Sequence, residues 1–313
     1  MRITPPGADA PLVRRIAGAP ISWGVCEVPG WGHQLAPDVV LRQMRDIGLA
    51  ATEFGPDGFL PDAPAAKAEI LSAYGLRAVG QFVPVVLHDP DHDPLPRVET
   101  AMADLLVAGA TTVVVAAVGG GDGYDDRPAP DADGWSTLLA NLDRIDEAAA
   151  EAGLTAALHP HVGTLVETAE ETRRVLDGCR IALCLDTGHY LIGGGDPVAL
   201  AARAPDRIAH VHLKDVRRHL ADQVRSGELT YTQGVAEGMY APLGAGDVDI
   251  AAIVRVLESH GYSGWYVLEQ DTVLPAPPGQ DGAHDPLNDA KASLERLLSF
   301  AEAATGPSHP AGA

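Results

Sequence analysis

Ten side chains able to bind a metal or move a proton close four consecutive apolar runs of this chain. The run at 155–161 (TAALHPH) ends in His159 and His161, and that at 181–189 (IALCLDTGH) ends in Asp186 and His189. The run at 208–215 (IAHVHLKD) carries His210, His212, Lys214 and Asp215, and that at 264–271 (GWYVLEQD) carries Glu269 and Asp271. Side chains alternate along a strand, so His159 and His161 share one face, as do His210, His212 and Lys214. Imidazoles and carboxylates converging on one rim suit a divalent ion such as Mn²⁺, Co²⁺, Fe²⁺, Zn²⁺ or Mg²⁺. A single buried His at a strand end is more often a hydrogen-bonded core residue than a ligand. Four successive strands ending this way support a metal site.

The elements that must hold these groups follow from the apolar spacing. Runs rich in Val, Ile, Leu and Ala at 14–23, 50–55, 77–87 and 111–118 precede the four above, making eight in all. Between them lie stretches of helical period ending in Gly, such as 38–47 before Gly48 and 135–152 before Gly153. Strand and helix alternating eight times predict a single (β/α)8 TIM barrel over 12–303, the last helix covering 286–303. In such a barrel the strand bodies are buried and the C-terminal ends carry the chemistry, which is the distribution seen. No GxGxxG follows the first strand, so a dinucleotide-binding sheet has no support. The segment 216–245 is too long for a plain connection and is expected to form a lid. The stretch 119–134 (GGGDGYDDRPAPDADG) reads as a mobile, solvated loop, and 1–11 and 304–313 read as flexible tails.

Composition narrows the partners. Lys and Arg number 22 against 43 Asp and Glu, a formal net charge of −21, and Lys67, Lys214 and Lys291 are the only lysines. Such a chain is not built to grip nucleic acid or an anionic membrane. Cys26, Cys179 and Cys184 have no CxxC spacing and fit a reducing compartment. No apolar run is long enough to span a bilayer and no secretory leader opens the chain, so a cytoplasmic protein is expected, with a homo-oligomer allowed.

LHPHVGTLVET (158–168), CLDTGHYLIGGGDP (184–197), HVHLKDV (210–216), PLGAGDVDI (242–250) and GYSGWYVLEQD (261–271) resemble the xylose-isomerase-like barrel superfamily of sugar isomerases, epimerases, endonuclease IV and inosose dehydratase. APISWGV (19–25) and ATEFGPDGFLP (51–61) lean toward the inosose dehydratase branch, and the resemblance runs from about 19 to 300. It implies that Asp186, His212 and Glu269 are metal ligands, that His189 binds substrate, and that Arg218 stands where epimerases place a substrate-binding arginine. One departure matters: isomerases and epimerases carry a strand-5 Glu that ligates the metal and exchanges the proton, and His159 stands here. His159 is then the fourth ligand, with His161 as the alternative.

The resemblance implies a lyase that removes water from a ketocyclitol, 2-keto-myo-inositol, or a related keto-sugar, with Mn²⁺ as the leading cofactor. The partner is then a small polyol or keto-sugar. Such a reaction needs a base for the proton α to the ketone and an acid for the departing hydroxyl. Glu53, His161, His189 and Lys214 are the candidates, with Lys214 tuned by a neighbouring dication or, alternatively, merely paired with an acidic neighbour such as Glu53. Trp23 is expected to wall the substrate pocket, as is Trp31, unless they simply pack. An isomerase or epimerase on the same barrel is the second reading. A nuclease and a non-catalytic sugar binder are weaker, the first because of the acidic charge.

Overall fold

The eight apolar runs become the wall of a closed parallel barrel in the computed structural model, which describes residues 10–121, 123–125, 127–280 and 285–305. The strands are β1 (Ile16–Gly18), β2 (Ala51–Thr52), β3 (Arg77–Ala78), β4 (Gly80–Val86), β5 (Thr112–Val118), β6 (Thr155–Leu158), β7 (Ala182–Asp186), β8 (Ile208–Leu213), β9 (Asp215–Val216), β10 (Tyr240–Ala241) and β11 (Tyr266–Leu268). The order in the main sheet is β3-β2-β1-β11-β8-β7-β6-β5-β4. Only Val79 separates β3 from β4, so both ends of that order belong to one strand and eight strands close the ring. The first run is shorter than its sequence suggests. β1 stops at Gly18 and Pro20–Trp23 forms a 3-10 turn, because Pro20 has no N–H for a ladder.

The helices are α1 (Pro37–Asp46), α2 (Pro64–Ala73), α3 (Leu95–Ala108), α4 (Ala132–Ala152), α5 (Ala169–Gly178), α6 (Thr187–Ile192), α7 (Pro197–Arg203), α8 (Arg218–Ser226), α9 (Tyr231–Ala236), α10 (Ile250–Ser259) and α11 (Pro286–Thr305). α4 begins three residues before the expected 135, where the Asp131 side chain accepts the Gly134 N–H at 2.8 Å and caps it. Of the expected tails, 1–9 and 306–313 lie outside the described residues, and α11 runs on to Thr305.

Alternation divides the strand residues between two environments. Val113, Val115, Leu158, Leu183, Val211 and Leu268 face the helices in one large apolar cluster. Small residues on the alternate positions, Ala17, Ala51 and Val267 in one group and Val114, Ala157 and Cys184 in another, fill the barrel axis. Two residues beyond Ala157, Cys184 and Val267 stand His159, Asp186 and Glu269, so the polar groups continue the inward rows. Among the described residues, no helix is long and apolar enough to cross a membrane.

The insertion at 216–245 folds as α8 and α9 between β9 and β10, which pair antiparallel. Its base is locked by Asp215. The buried carboxylate accepts N–H bonds from Val216 (2.9 Å), Gly244 (2.7 Å), Gly246 (3.0 Å) and Val248 (3.0 Å). Gly246 is required there, since a Cβ would sit 2.3 Å from Asp215 Oδ1. Asp215 therefore serves the backbone, unlike the other groups at the end of β8. Asp215→Ala strands four amides and is expected to destabilise the fold by about 3 kcal/mol or more. A denaturation midpoint equal to that of the unaltered protein would refute this.

The described part of the 119–134 stretch is anchored rather than loose. Tyr124 Oη donates to Glu27 Oε1 at 2.6 Å, and Asp125 Oδ1 accepts the Thr232 N–H of α9 at 3.0 Å. Arg127 donates to Thr164 O at 2.8 Å and pairs with Glu167 and Glu171.

Candidate functional site

At the C-terminal ends of the strands lies a cavity of about 320 Å³ whose wall includes Glu53, His159, His161, Lys214, Glu269 and Asp271. Below it, four atoms are buried without a hydrogen-bond partner: His159 Nε2, Asp186 Oδ2, His212 Nδ1 and Glu269 Oε2. They converge. His159 Nε2 is 3.3 Å and His212 Nδ1 3.7 Å from Asp186 Oδ2, and His212 Nδ1 is 2.6 Å from Glu269 Oε2. One donor atom each from Asp186, His212 and Glu269 falls within 4.8 Å of the others. His159 joins Asp186 and His189 in a second such group, and buried polar atoms gathered this closely, costly unless paired, fit a dication.

Neighbouring groups set the direction of these lone pairs. Asp186 caps α6 through Oδ1, which accepts the Gly188 and His189 N–H groups at 2.9 and 2.8 Å and leaves Oδ2 for the centre. Glu53 Oε1 accepts from His212 Nε2 at 3.0 Å and from His210 Nε2 at 2.9 Å. Glu53 holds a proton on His212 Nε2, the usual carboxylate–imidazole support of a ligand, while Cys184, Glu269 and Glu53 outweigh burial and raise the ring's pKa well above its usual value, so a metal at Nδ1 would displace a proton there. Burial opposes ionisation of Glu53 and Asp186, yet their neighbours hold both below the usual carboxylate range: for Glu53 the His212 and His210 N–H groups that bond it, for Asp186 chiefly the Lys214 ammonium.

Lys214 stands beside this centre, fully buried. Its Nζ donates to Asp271 Oδ1 at 2.5 Å and contacts His189 Nε2 at 3.0 Å, with Asp186 and Glu269 oxygens each at 3.4 Å. Burial favours the neutral amine, but Asp186, Asp271 and Glu269 outweigh it and hold the group protonated. The DTGH segment builds this contact from the strand next door. Thr187 Oγ1 accepts the Lys214 N–H (2.9 Å) and donates to the Lys214 carbonyl (2.7 Å). Gly188 is obligatory because a Cβ would lie 2.7 Å from Lys214 Cβ. Asp271 is pushed up to about 6 by burial, partly opposed by Lys214, and its second oxygen accepts from Tyr231 of α9.

A family model described as a xylose isomerase-like TIM barrel matches residues 41–299. The chain belongs to the xylose isomerase-like TIM barrel family. Among its relatives, a rhizopine catabolism protein MocC of Rhizobium meliloti is 37% identical over 96% of this chain and 92% of its own length. An inosose dehydratase of Geobacillus kaustophilus is 35% identical over 84% of this chain and 90% of its own. Solved structures share the fold at lower identity. An L-ribulose 3-epimerase superposes with a TM-score of 0.66 at 19% identity, over 93% of this chain and 95% of that one. The IolI protein, solved with a bound zinc atom, gives 0.67 at 13% identity, over 94% and 100%.

Several expected roles change in this xylose isomerase-like barrel. Arg218 is exposed at the start of α8, outside the cavity lining, where its backbone N–H donates to Asp247. The arginine in the cavity wall is Arg97 of α3. Trp23 is 1% exposed and donates to Gln43, so it packs, whereas Trp31 lines the cavity and donates to Thr272 O. Lys214 pairs with Asp271 and not with Glu53, whose carboxylate is taken by His210 and His212. His189 is fully buried, occupied by Lys214 and stacked 3.7 Å from His161, so the cavity face falls to His161.

The sequence assigns no role to Asp271, which it marks only as a strand-end group, or to Tyr231. Asp271 had a signal, being two residues past Glu269 on the same strand face. Tyr231 had none, because it arrives on the insertion, where strand periodicity says nothing.

Proposed function

We propose that this chain is a divalent-metal-dependent lyase that dehydrates a ketocyclitol such as 2-keto-myo-inositol, or a related keto-sugar. The observation that carries the reading is His159, an imidazole with neither ring nitrogen hydrogen-bonded, just past β6 at the position where isomerases and epimerases use a glutamate. The names of the inosose dehydratase relatives point the same way. His159, Asp186, His212 and Glu269 would hold the ion, Mn²⁺ first among Co²⁺, Mg²⁺, Fe²⁺ and Zn²⁺. A dication there supplies charge stabilisation for a ketone oxygen as the neighbouring C–H bond breaks.

The protein's own groups then divide the proton transfers. His161 Nδ1 is 2.7 Å from the Val162 carbonyl, which can only accept, so Nδ1 carries the proton and Nε2 the lone pair. Burial, with His159 and Lys214 nearby, holds His161 well below its usual pKa and therefore neutral. Nε2 takes the α-proton, the C–H electrons form the carbon–carbon double bond, and the β C–O bond breaks. Lys214 protonates the departing oxygen, so one water leaves, and Asp271 holds the amine in place. Glu53 acts as a positioning residue through His212. The enol product tautomerises to a diketone. A small uncharged polyol-like substrate and a cytoplasmic setting belong to the same reading.

The test is incubation of the Mn²⁺-loaded protein with 2-keto-myo-inositol while following the ultraviolet absorbance of the diketone. Absorbance is expected to rise. No change with any of several divalent metals, together with turnover of a ketose, would replace the lyase by an isomerase or epimerase.

A further inference from the structure

The proposed chemistry uses the cavity floor and leaves a second polar group at its mouth. Arg97, near the start of α3, and Asp57, after β2, line the same cavity as Lys214 and His161. Arg97 Nη2 donates to Asp57 Oδ2 at 2.8 Å, with side chains 36% and 64% exposed. Asp57 Oδ1 accepts from Gln81 Nε2 at 3.1 Å, and Gln81 is buried on β4 with its own Oε1 unpartnered. An exposed ion pair adds about 0–1 kcal/mol to stability. Committing a buried amide to hold one, with its oxygen left unpaired, works against stability and indicates a binding role. Among the described residues Arg97 has a partner for Nη2 only, so Nε and Nη1 remain as donors beside the Asp57 acceptor.

We propose that Arg97 and Asp57 form a specificity subsite that reads hydroxyl groups on the edge of the substrate remote from the reacting carbons. A donor fork next to an acceptor matches adjacent hydroxyls, each of which both gives and takes a hydrogen bond. The pair is neutral as a whole, which favours an uncharged polyol over a phosphorylated or carboxylated sugar. Gln81 fixes the acceptor so that the geometry is set before substrate arrives.

This subsite rests on the reading of the cavity as a ring-polyol site, and its test separates the two ideas. Myo-inositol binding to the metal-loaded protein is measured by calorimetry, and KM and kcat on 2-keto-myo-inositol alongside, for the unaltered chain, Arg97→Met and Asp57→Asn. Both variants are expected to weaken myo-inositol binding and raise KM by tenfold or more, with bound metal retained and the larger change in KM rather than kcat. Deoxy-inositols lacking the remote hydroxyls should bind the unaltered chain as weakly as myo-inositol binds Arg97→Met. Inositol binding that depends on Arg97 without any dehydration would keep the subsite and remove the lyase. Equal affinity in all three proteins, no inositol binding at all, or a loss confined to kcat would overturn the subsite.

Discussion

Glu269→Gln is expected to lower bound metal and turnover together. The substitution keeps the shape of the side chain but replaces a carboxylate with a neutral amide. Oε2 of Glu269 is buried, has no hydrogen-bond partner and lies 2.6 Å from His212 Nδ1, so it is placed to share a cation with that nitrogen. If the amide nitrogen takes that place, a donor faces the other lone pairs; if its oxygen does, the site still loses one negative charge. Metal affinity should fall by more than about 100-fold, beyond the roughly 10- to 100-fold that loss of an outer support typically produces. The check is metal per chain after dialysis against a defined free-metal concentration, measured with the rate. Full occupancy with lost activity would give Glu269 a role toward substrate instead.

Lys214→Met is expected to reduce kcat by about 10²- to 10⁴-fold, the usual range for loss of a proton-transferring side chain, while metal remains bound. The ammonium is fully buried among Asp186, Glu269 and Asp271, so the variant also leaves Asp271 without its 2.5 Å partner. Removing one member of a buried ion pair costs about 3–5 kcal/mol, so thermal stability should fall as well. Metal-loaded protein is therefore the form to assay. A change in KM with kcat intact would show that Lys214 only binds substrate. Asp271→Asn separates the roles further, since it keeps the amine and removes the group that orients it.

Much of the centre was legible in the sequence because it lies on strands. Asp186 and His212 occupy inward positions of β7 and β8, and His159 and Glu269 stand just past β6 and β11, four consecutive neighbours in the ring. A strand fixes side-chain direction with period two, and a parallel barrel brings every C-terminal end to one rim. The same argument failed where direction is set otherwise. Arg218 and Arg97 both lie near a helix start, and nothing in the spacing says which of them faces the cavity. Trp23 and Trp31 are equally ambiguous, because the chain after β1 turns through a 3-10 segment instead of continuing the strand.

Lys214 shows both sides of this. Its strand phase placed it beside His212, but its partner was decided by the return of the chain at Asp271 and by the insertion that brings Tyr231 over it. The sequence alone determined the barrel and its polar rim, because apolar alternation and polar strand ends are local properties. Only the tertiary structure decided which arginine and which tryptophan meet the cavity, that Asp215 locks the insertion, and that Glu53 supports His212 and not Lys214. Those outcomes depend on contacts between segments far apart in the chain, which local pattern does not encode.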